Sequence, residues 1–413
     1  MHVMHETYAL LRHDKAAAAA ARAAAWPPGR GTSFKSPLKS RPVTPVPSDV
    51  AWYVRDAVAL RDMLTASYFS LLLVCFPLGI AAAGLSWGAV PVFTLNFLAL
   101  VPLALLLGDV TEDLALRFGD VVGGLLNATF GNVVEMIISI AALMKGLYTV
   151  VATSLLGSIL SNLLLVLGCC FFFGGLRYQV QSFNATANQA TSSLLFLSCI
   201  AIIIPTAATN LGGGGGSQEA ILSISRGTAV VLLIIYACYL VFQLKSHHDL
   251  FRGDDGGDDP TLTLVTSVAA LAAITAAVAV SSELLTGAIE AFTQQTGLSQ
   301  AFVGMIILPI AGNACEHIVA VMVAVKGKMD LAMGVAVGSS IQIALLAIPT
   351  AVVVGWAAGR PFSLDFPPFA TLALVVSVLH ANLATGGGSS HWLMGVELIA
   401  TYTLIAMTFL FVG

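Results

Sequence analysis

Eleven apolar segments, each near the 20 residues that cross a bilayer, follow one another along the chain and leave room for little else. They lie near 64–86, 88–108, 121–144, 149–173, 191–210, 226–245, 262–280, 299–325, 330–354, 366–385 and 392–412. Of the 413 residues, 57% are hydrophobic and 10% charged, where a soluble domain carries about 25% charged residues. The expected fold is an all-α polytopic membrane protein with eleven transmembrane helices. All six cysteines fall inside these segments without a Cys-x-x-Cys spacing, and they read as small membrane hydrophobes.

The connections are polar. Residues 1–62 form a basic, Ala/Pro/Ser-rich tail, expected to be disordered and held in the cytosol by its charge. An organellar transit peptide is the alternative, since residues 15–48 contain no acid. Asp109 to Arg117 reads as a short amphipathic link, and the glycines at 212–216 as a flexible spacer. An acidic linker over 246–261 divides the chain. With a cytosolic N-terminus, fifteen basic residues fall on the cytosolic side and three (Lys145, Arg226, Arg360) on the other, which obeys the positive-inside rule.

One stretch occurs twice. Residues 122–165 laid over 303–346 match at twelve of 44 positions, among them Gly131, Asn132, Glu135, Lys145, Gly146, Gly157 and Ser158 with partners 181 residues on. The copies begin in the third and eighth segments, five apart, so they cross the membrane in opposite directions. The domain expectation is an extra helix at 63–87, a five-helix repeat at 88–245, the linker, and an inverted five-helix repeat at 262–413. Secondary transporters use this architecture, with the binding site at the midplane between repeats.

The repeated motif places acids where lipid is expected. A carboxylate in a membrane helix is costly and marks function by default. Asn132 and Glu135 share one helix face, as do Asn313 and Glu316. Gly131 and Gly312 can open the helix and bare carbonyls, and Pro309 adds a break ahead of the second copy. The next helix of each repeat supplies neutral oxygens: Ser158, Ser161 and Asn162 in one, Ser339, Ser340 and Gln342 in the other. Such an all-oxygen set suits Ca²⁺, and Mn²⁺ also fits. Two carboxylates balance one divalent charge. Left empty and facing each other they are costly, so protons are the natural replacement. His317 breaks the symmetry against Met136 and is a candidate for proton handling with the two glutamates. Serines and glycines alone serve helix packing equally well. Glu112, Asp113, Glu283 and Glu290 fall near segment ends and read singly as solvated charge.

At these residues the sequence resembles the vacuolar cation/proton exchangers of the calcium/cation antiporter superfamily. Gly123 to Glu135 with Ser154 to Asn162 looks like their first signature, and Ile307 to His317 with Gly338 to Gln342 like the second. The resemblance implies eleven helices as one plus two inverted sets of five. It implies Ca²⁺/H⁺ antiport into an acidic store, vacuolar or another endomembrane, with Glu135 and Glu316 as ion-binding acids. Gly131, Gly312, Asn132, Asn313, Ser158, Ser339 and Gln342 carry over as supporting ligands or pocket residues. Sodium/calcium exchangers place an Asp in the second core helix of a repeat, where Ser339 and Gln342 stand here, and one carboxylate fewer favours proton coupling. Sodium-coupled exchange and a cation channel are the alternatives. No His-Glu-x-x-His pattern supports an enzyme. The residues call for no cofactor and no nucleic-acid partner. The partners are lipid, a divalent cation and protons.

Overall fold

A computed structural model describes residues 51–211, 217–247 and 260–412. The glycine spacer and most of the acidic linker lie outside the described residues, as do residues 1–50. Among the described residues, eight helices are long and apolar enough to cross a membrane, and eleven spans result when each of three bent pairs counts as one.

The chain enters through α1 (Trp52–Thr65), a short 3₁₀ turn and α2 (Cys75–Gly84). The axis turns by 96° after α1. With Arg55, Asp56, Arg61 and Asp62 in 14 residues, α1 is too charged to lie in hydrocarbon, and we place it outside the spans. The expected disorder of 1–62 therefore fails over α1. Asp56 is buried there and ties the helix down.

α3 (Ala89–Phe130) runs 42 residues. It absorbs Asp109 to Arg117, which is a helical continuation and not a separate link. The residues there keep good helix propensity and contain no Gly–Pro stop until the next span. α4 (Val133–Met144), α5 (Tyr148–Leu160) and α6 (Leu167–Arg177) follow, then α7 (Ala185–Leu211) and α8 (Gln218–Val241). The second half begins with α9 (Leu264–Thr296), and continues through α10 (Leu308–Gly312), α11 (Ala314–Val325), α12 (Met329–Gln342), α13 (Ile348–Ala357), α14 (Pro368–Thr385) and α15 (Trp392–Val412). Two residue pairs form a small antiparallel ladder, β1 (Gln181–Ser182) with β2 (Ser389–Ser390).

The two halves share their irregularities. The helix breaks at Asn132 and again at Asn313, 181 residues apart. π-helical turns occupy Ser161–Val166 and Ile343–Ala347, again in register. Lys145 and Lys326 are each followed by a glycine at positive φ, 78° at Gly146 and 80° at Gly327, which is why Lys-Gly recurs.

α9 is the repeat equivalent of the first part of α3, and the two pack antiparallel. Phe93, near the start of α3, stacks on Phe292, near the end of α9, with ring centroids 4.0 Å apart. At the opposite end Asp113 accepts hydrogen bonds from Thr261 N–H (2.5 Å), Thr261 Oγ1 (2.7 Å) and Leu262 N–H (3.2 Å), just before α9 begins. Asp113, expected to be solvated, is instead buried as the anchor of this end. The core lies along α5 and α12, whose apolar side chains are mostly buried, and along the first half of α6, where Leu167, Cys169, Cys170 and Phe171 are buried.

Candidate cation site between the two halves

The breaks create the site. Asn132 (φ −116°, ψ 23°) and Asn313 (φ −86°, ψ 13°) leave the helical region, so one helix ends and another starts at membrane depth. The chain bends by 42° at the first break and 58° at the second. Glu135 and Glu316 fall in the first turns of α4 and α11. A carboxylate is favoured at a helix N-terminus. A helix end leaves most of its last carbonyls without intrahelical partners, and each break is such an end.

Glu135 is 5% exposed, and both of its oxygens are buried without a hydrogen-bond partner among the described residues. Glu316 Oε2 and the Oδ1 atoms of Asn313 and Asn162 share that condition. No other carboxylate oxygen among the described residues does. Glu135 lies against the backbone of Gly312, where a Cβ would come 2.8 Å from Oε1. Glu316 and Glu135 are within electrostatic reach of each other. An unpartnered buried acceptor is costly, and a hard cation satisfies several at once.

Cross-repeat hydrogen bonds hold the neutral residues. Asn162 Nδ2 donates to Ser339 Oγ (2.9 Å), and Ser339 Oγ donates to Asn132 Oδ1 (2.7 Å). Asn132 Nδ2 donates to Gln342 Oε1 (2.5 Å). Asn313 Nδ2 donates to the Ser158 carbonyl (3.1 Å). The structure thus brings Glu135, Glu316, Gly131, Gly312, Asn132, Asn313, Ser158, Ser339 and Gln342 into one region. Asn162, expected as a neutral oxygen beside Ser158, lies there too. His317 is half-buried beside Glu316. No three His, Cys, Asp or Glu side chains converge as a metal cluster among the described residues. A cation here therefore depends on amide, hydroxyl and carbonyl oxygens beside the two acids.

The two approaches to the site differ. Pro309 cannot donate to the Met305 carbonyl four residues back, and that carbonyl packs against Gly157, where a Cβ would collide with it. Gly304 packs equally closely on Thr153. Gly338, the repeat equivalent of Gly157, and Gly334, one turn before it, would present a Cβ to open space, whereas Gly123, the equivalent of Gly304, packs against the Ala115 carbonyl. Gly131 is exposed and Gly312 buried.

Many apolar spans, with helices broken at two matching points beside a pair of buried carboxylates, define a polytopic membrane transporter. The chain belongs to the sodium/calcium exchanger protein family, whose model matches residues 88–245 and 266–411. It is 44% identical over 356 residues to a vacuolar calcium ion transporter of Schizosaccharomyces pombe, covering 85% of this chain and 86% of the relative. It is 44% identical over 366 residues to a Ca²⁺/H⁺ antiporter of Synechocystis, covering 83% and 97%. Among solved structures it resembles native YfkE, at 35% identity and a TM-score of 0.73, covering 83% of this chain and 99% of that one. An H⁺/Ca²⁺ exchanger, CAX, shares the fold at 14% identity and a TM-score of 0.65, covering 83% and 91%.

Proposed function

We propose that this protein is a secondary antiporter that exchanges Ca²⁺, with Mn²⁺ as a second cation, for protons. It moves Ca²⁺ from the cytosol into an acidic compartment across a vacuolar or related membrane. The single observation that carries this reading is the set of unpartnered buried oxygens on Glu135, Glu316, Asn313 and Asn162. Glu135 and Glu316 bind the cation between the halves, and backbone carbonyls at the two breaks complete the shell. As the cation leaves, each carboxylate takes a proton, so an empty doubly charged pair is avoided. His317 passes protons to and from Glu316. The relatives named for calcium transport and Ca²⁺/H⁺ antiport support the assignment of cargo.

Proton coupling is favoured over sodium because Ser339 and Gln342 stand where a third acid would serve sodium. The site is approached from the side of Gly131, Gly334 and Gly338, the end that carries Arg117, Lys245 and Lys328 and that the charge pattern assigns to the cytosol. Each unit of pH difference stores about 1.4 kcal/mol per proton, so exchange of two protons per Ca²⁺ doubles that drive.

The test is ⁴⁵Ca²⁺ uptake into proteoliposomes with an acidic interior. Uptake is expected to collapse with the proton gradient, to be unaffected by sodium, and to be lost in Glu135→Gln and Glu316→Gln. Uptake that persists without a gradient rejects proton coupling, and full activity of either variant rejects the site.

A further inference from the structure

Gln342 stands at the repeat position of Ser161, and its long amide does what no residue of the first half can do. It reaches across to Asn132. We infer that Asn132 and Asn313, equivalent by repeat, have different roles: Asn313 is a cation ligand, and Asn132 is a positioning residue fixed by Gln342 and Ser339. This assignment rests on the antiporter reading above and deepens it.

The geometry separates the two amides. Asn132 Oδ1 accepts from Ser339 Oγ and its Nδ2 donates to Gln342 Oε1, so both ends of the side chain are engaged with α12. Asn313 makes one bond, from Nδ2 to the Ser158 carbonyl, and its buried Oδ1 has no partner. An amide oxygen with no protein partner is available to a cation, whereas one already holding a hydroxyl proton has to give up that bond or share its lone pairs. Asn132 also sits at the first break, and its side chain makes no capping bond to its own helix. Its bonds go to the other half of the molecule instead. The start of the Glu135 helix is thereby tied to the helix of Ser339 and Gln342, and through Ser339 to Asn162 on the first half's own second helix. Movement of α12 during transport is transmitted to the Glu135 break through Asn132. The second break is held by a single side-chain bond, from Asn313 Nδ2 to the Ser158 backbone carbonyl, which leaves Asn313 Oδ1 unengaged.

The two roles predict different kinetics. Purified protein in vesicles is assayed for proton-driven ⁴⁵Ca²⁺ uptake and, in detergent, for equilibrium Ca²⁺ binding. Asn313→Ala is expected to weaken binding and raise KM about tenfold, with Vmax within about twofold of the parent. Asn132→Ala is expected to lower Vmax about fivefold or more and to leave the binding constant within about twofold. Gln342→Met, which keeps length and removes the amide, is expected to behave like Asn132→Ala. The Asn132→Ala/Gln342→Met pair is expected to be no worse than the more damaging single change, since both remove the same contact. If Asn132→Ala fails to fold, Gln342→Met carries the test with Asn132 in place. Equal loss of Ca²⁺ binding in Asn132→Ala and Asn313→Ala overturns the assignment, as does additivity of the Asn132 and Gln342 changes. Parent protein without proton-driven uptake would overturn the antiporter reading itself, a separate outcome.

Discussion

Glu135 of the first half rests on Gly312 of the second, so closely that a Cβ at 312 would come 2.8 Å from Oε1. The glycine is part of the carboxylate's seat. Gly312→Ala is therefore expected to displace Glu135 and weaken Ca²⁺ binding about tenfold or more in a protein that still folds. Equilibrium Ca²⁺ titration checks it, and an unchanged affinity would refute the contact's role.

Gly157 and Gly338 are repeat partners in opposite surroundings. A methyl at 157 meets the Met305 backbone, which cannot yield without a helix shift, so Gly157→Ala is expected to cost about 1–3 kcal/mol. A methyl at 338 meets nothing within 4 Å. Gly338→Ala is expected to unfold at the parent temperature yet to transport several-fold more slowly, because closing that side asks Gly338 to pack as Gly157 now does. Thermal unfolding and uptake rates, measured together, decide the pair.

Asp56 on α1 accepts from Thr263 N–H (3.1 Å), Thr263 Oγ1 (2.5 Å) and Thr266 Oγ1 (2.5 Å), tying α1 to the start of α9. Burial pushes its carboxyl up, but these bonds and the nearby Arg55 charge outweigh that and hold it below its ordinary value. A lowered carboxyl stabilises the fold above its unfolded value, about 3.9, and loses that contribution only as pH falls through the folded one. Asp56→Ala is thus expected to cost about 2 kcal/mol, equally at pH 5.5 and 7.5. A loss that changes between those pH values in chemical denaturation would count against the clamp.

Lys145, at the end of the Glu135 helix, pairs with Glu283 on α9. Both side chains are partly solvent-exposed, so the pair contributes only about 0.5 kcal/mol. Single reversals Lys145→Glu and Glu283→Lys are expected to lower the unfolding temperature slightly. The double reversal is expected to restore it, and failure to do so would show that the charges do not act on each other.

The span number, the twofold motif and the two acids could all be read from the chain because each is a local pattern: hydropathy over about 20 residues, or identity at a fixed offset of 181. Helix ends were less legible. Asp109 to Arg117 carries loop-like charge yet stays helical, because intrahelical hydrogen bonding is indifferent to whether a turn lies in lipid or at its edge. Asp113 gave no sign of its role, since the donors it binds are 148 and 149 residues away.

That this protein crosses a membrane many times and holds two carboxylates in repeated contexts follows from residue type and spacing. That both ends of the Asn132 amide are engaged while Asn313 Oδ1 is not, that Glu135 is seated on Gly312, and that Gly157 is packed while Gly338 is open follow from the packed fold. Those facts arise where the two halves meet. Identical motifs experience different neighbours there, and hydrogen-bond partners and backbone clearance depend on contacts that no local spacing encodes.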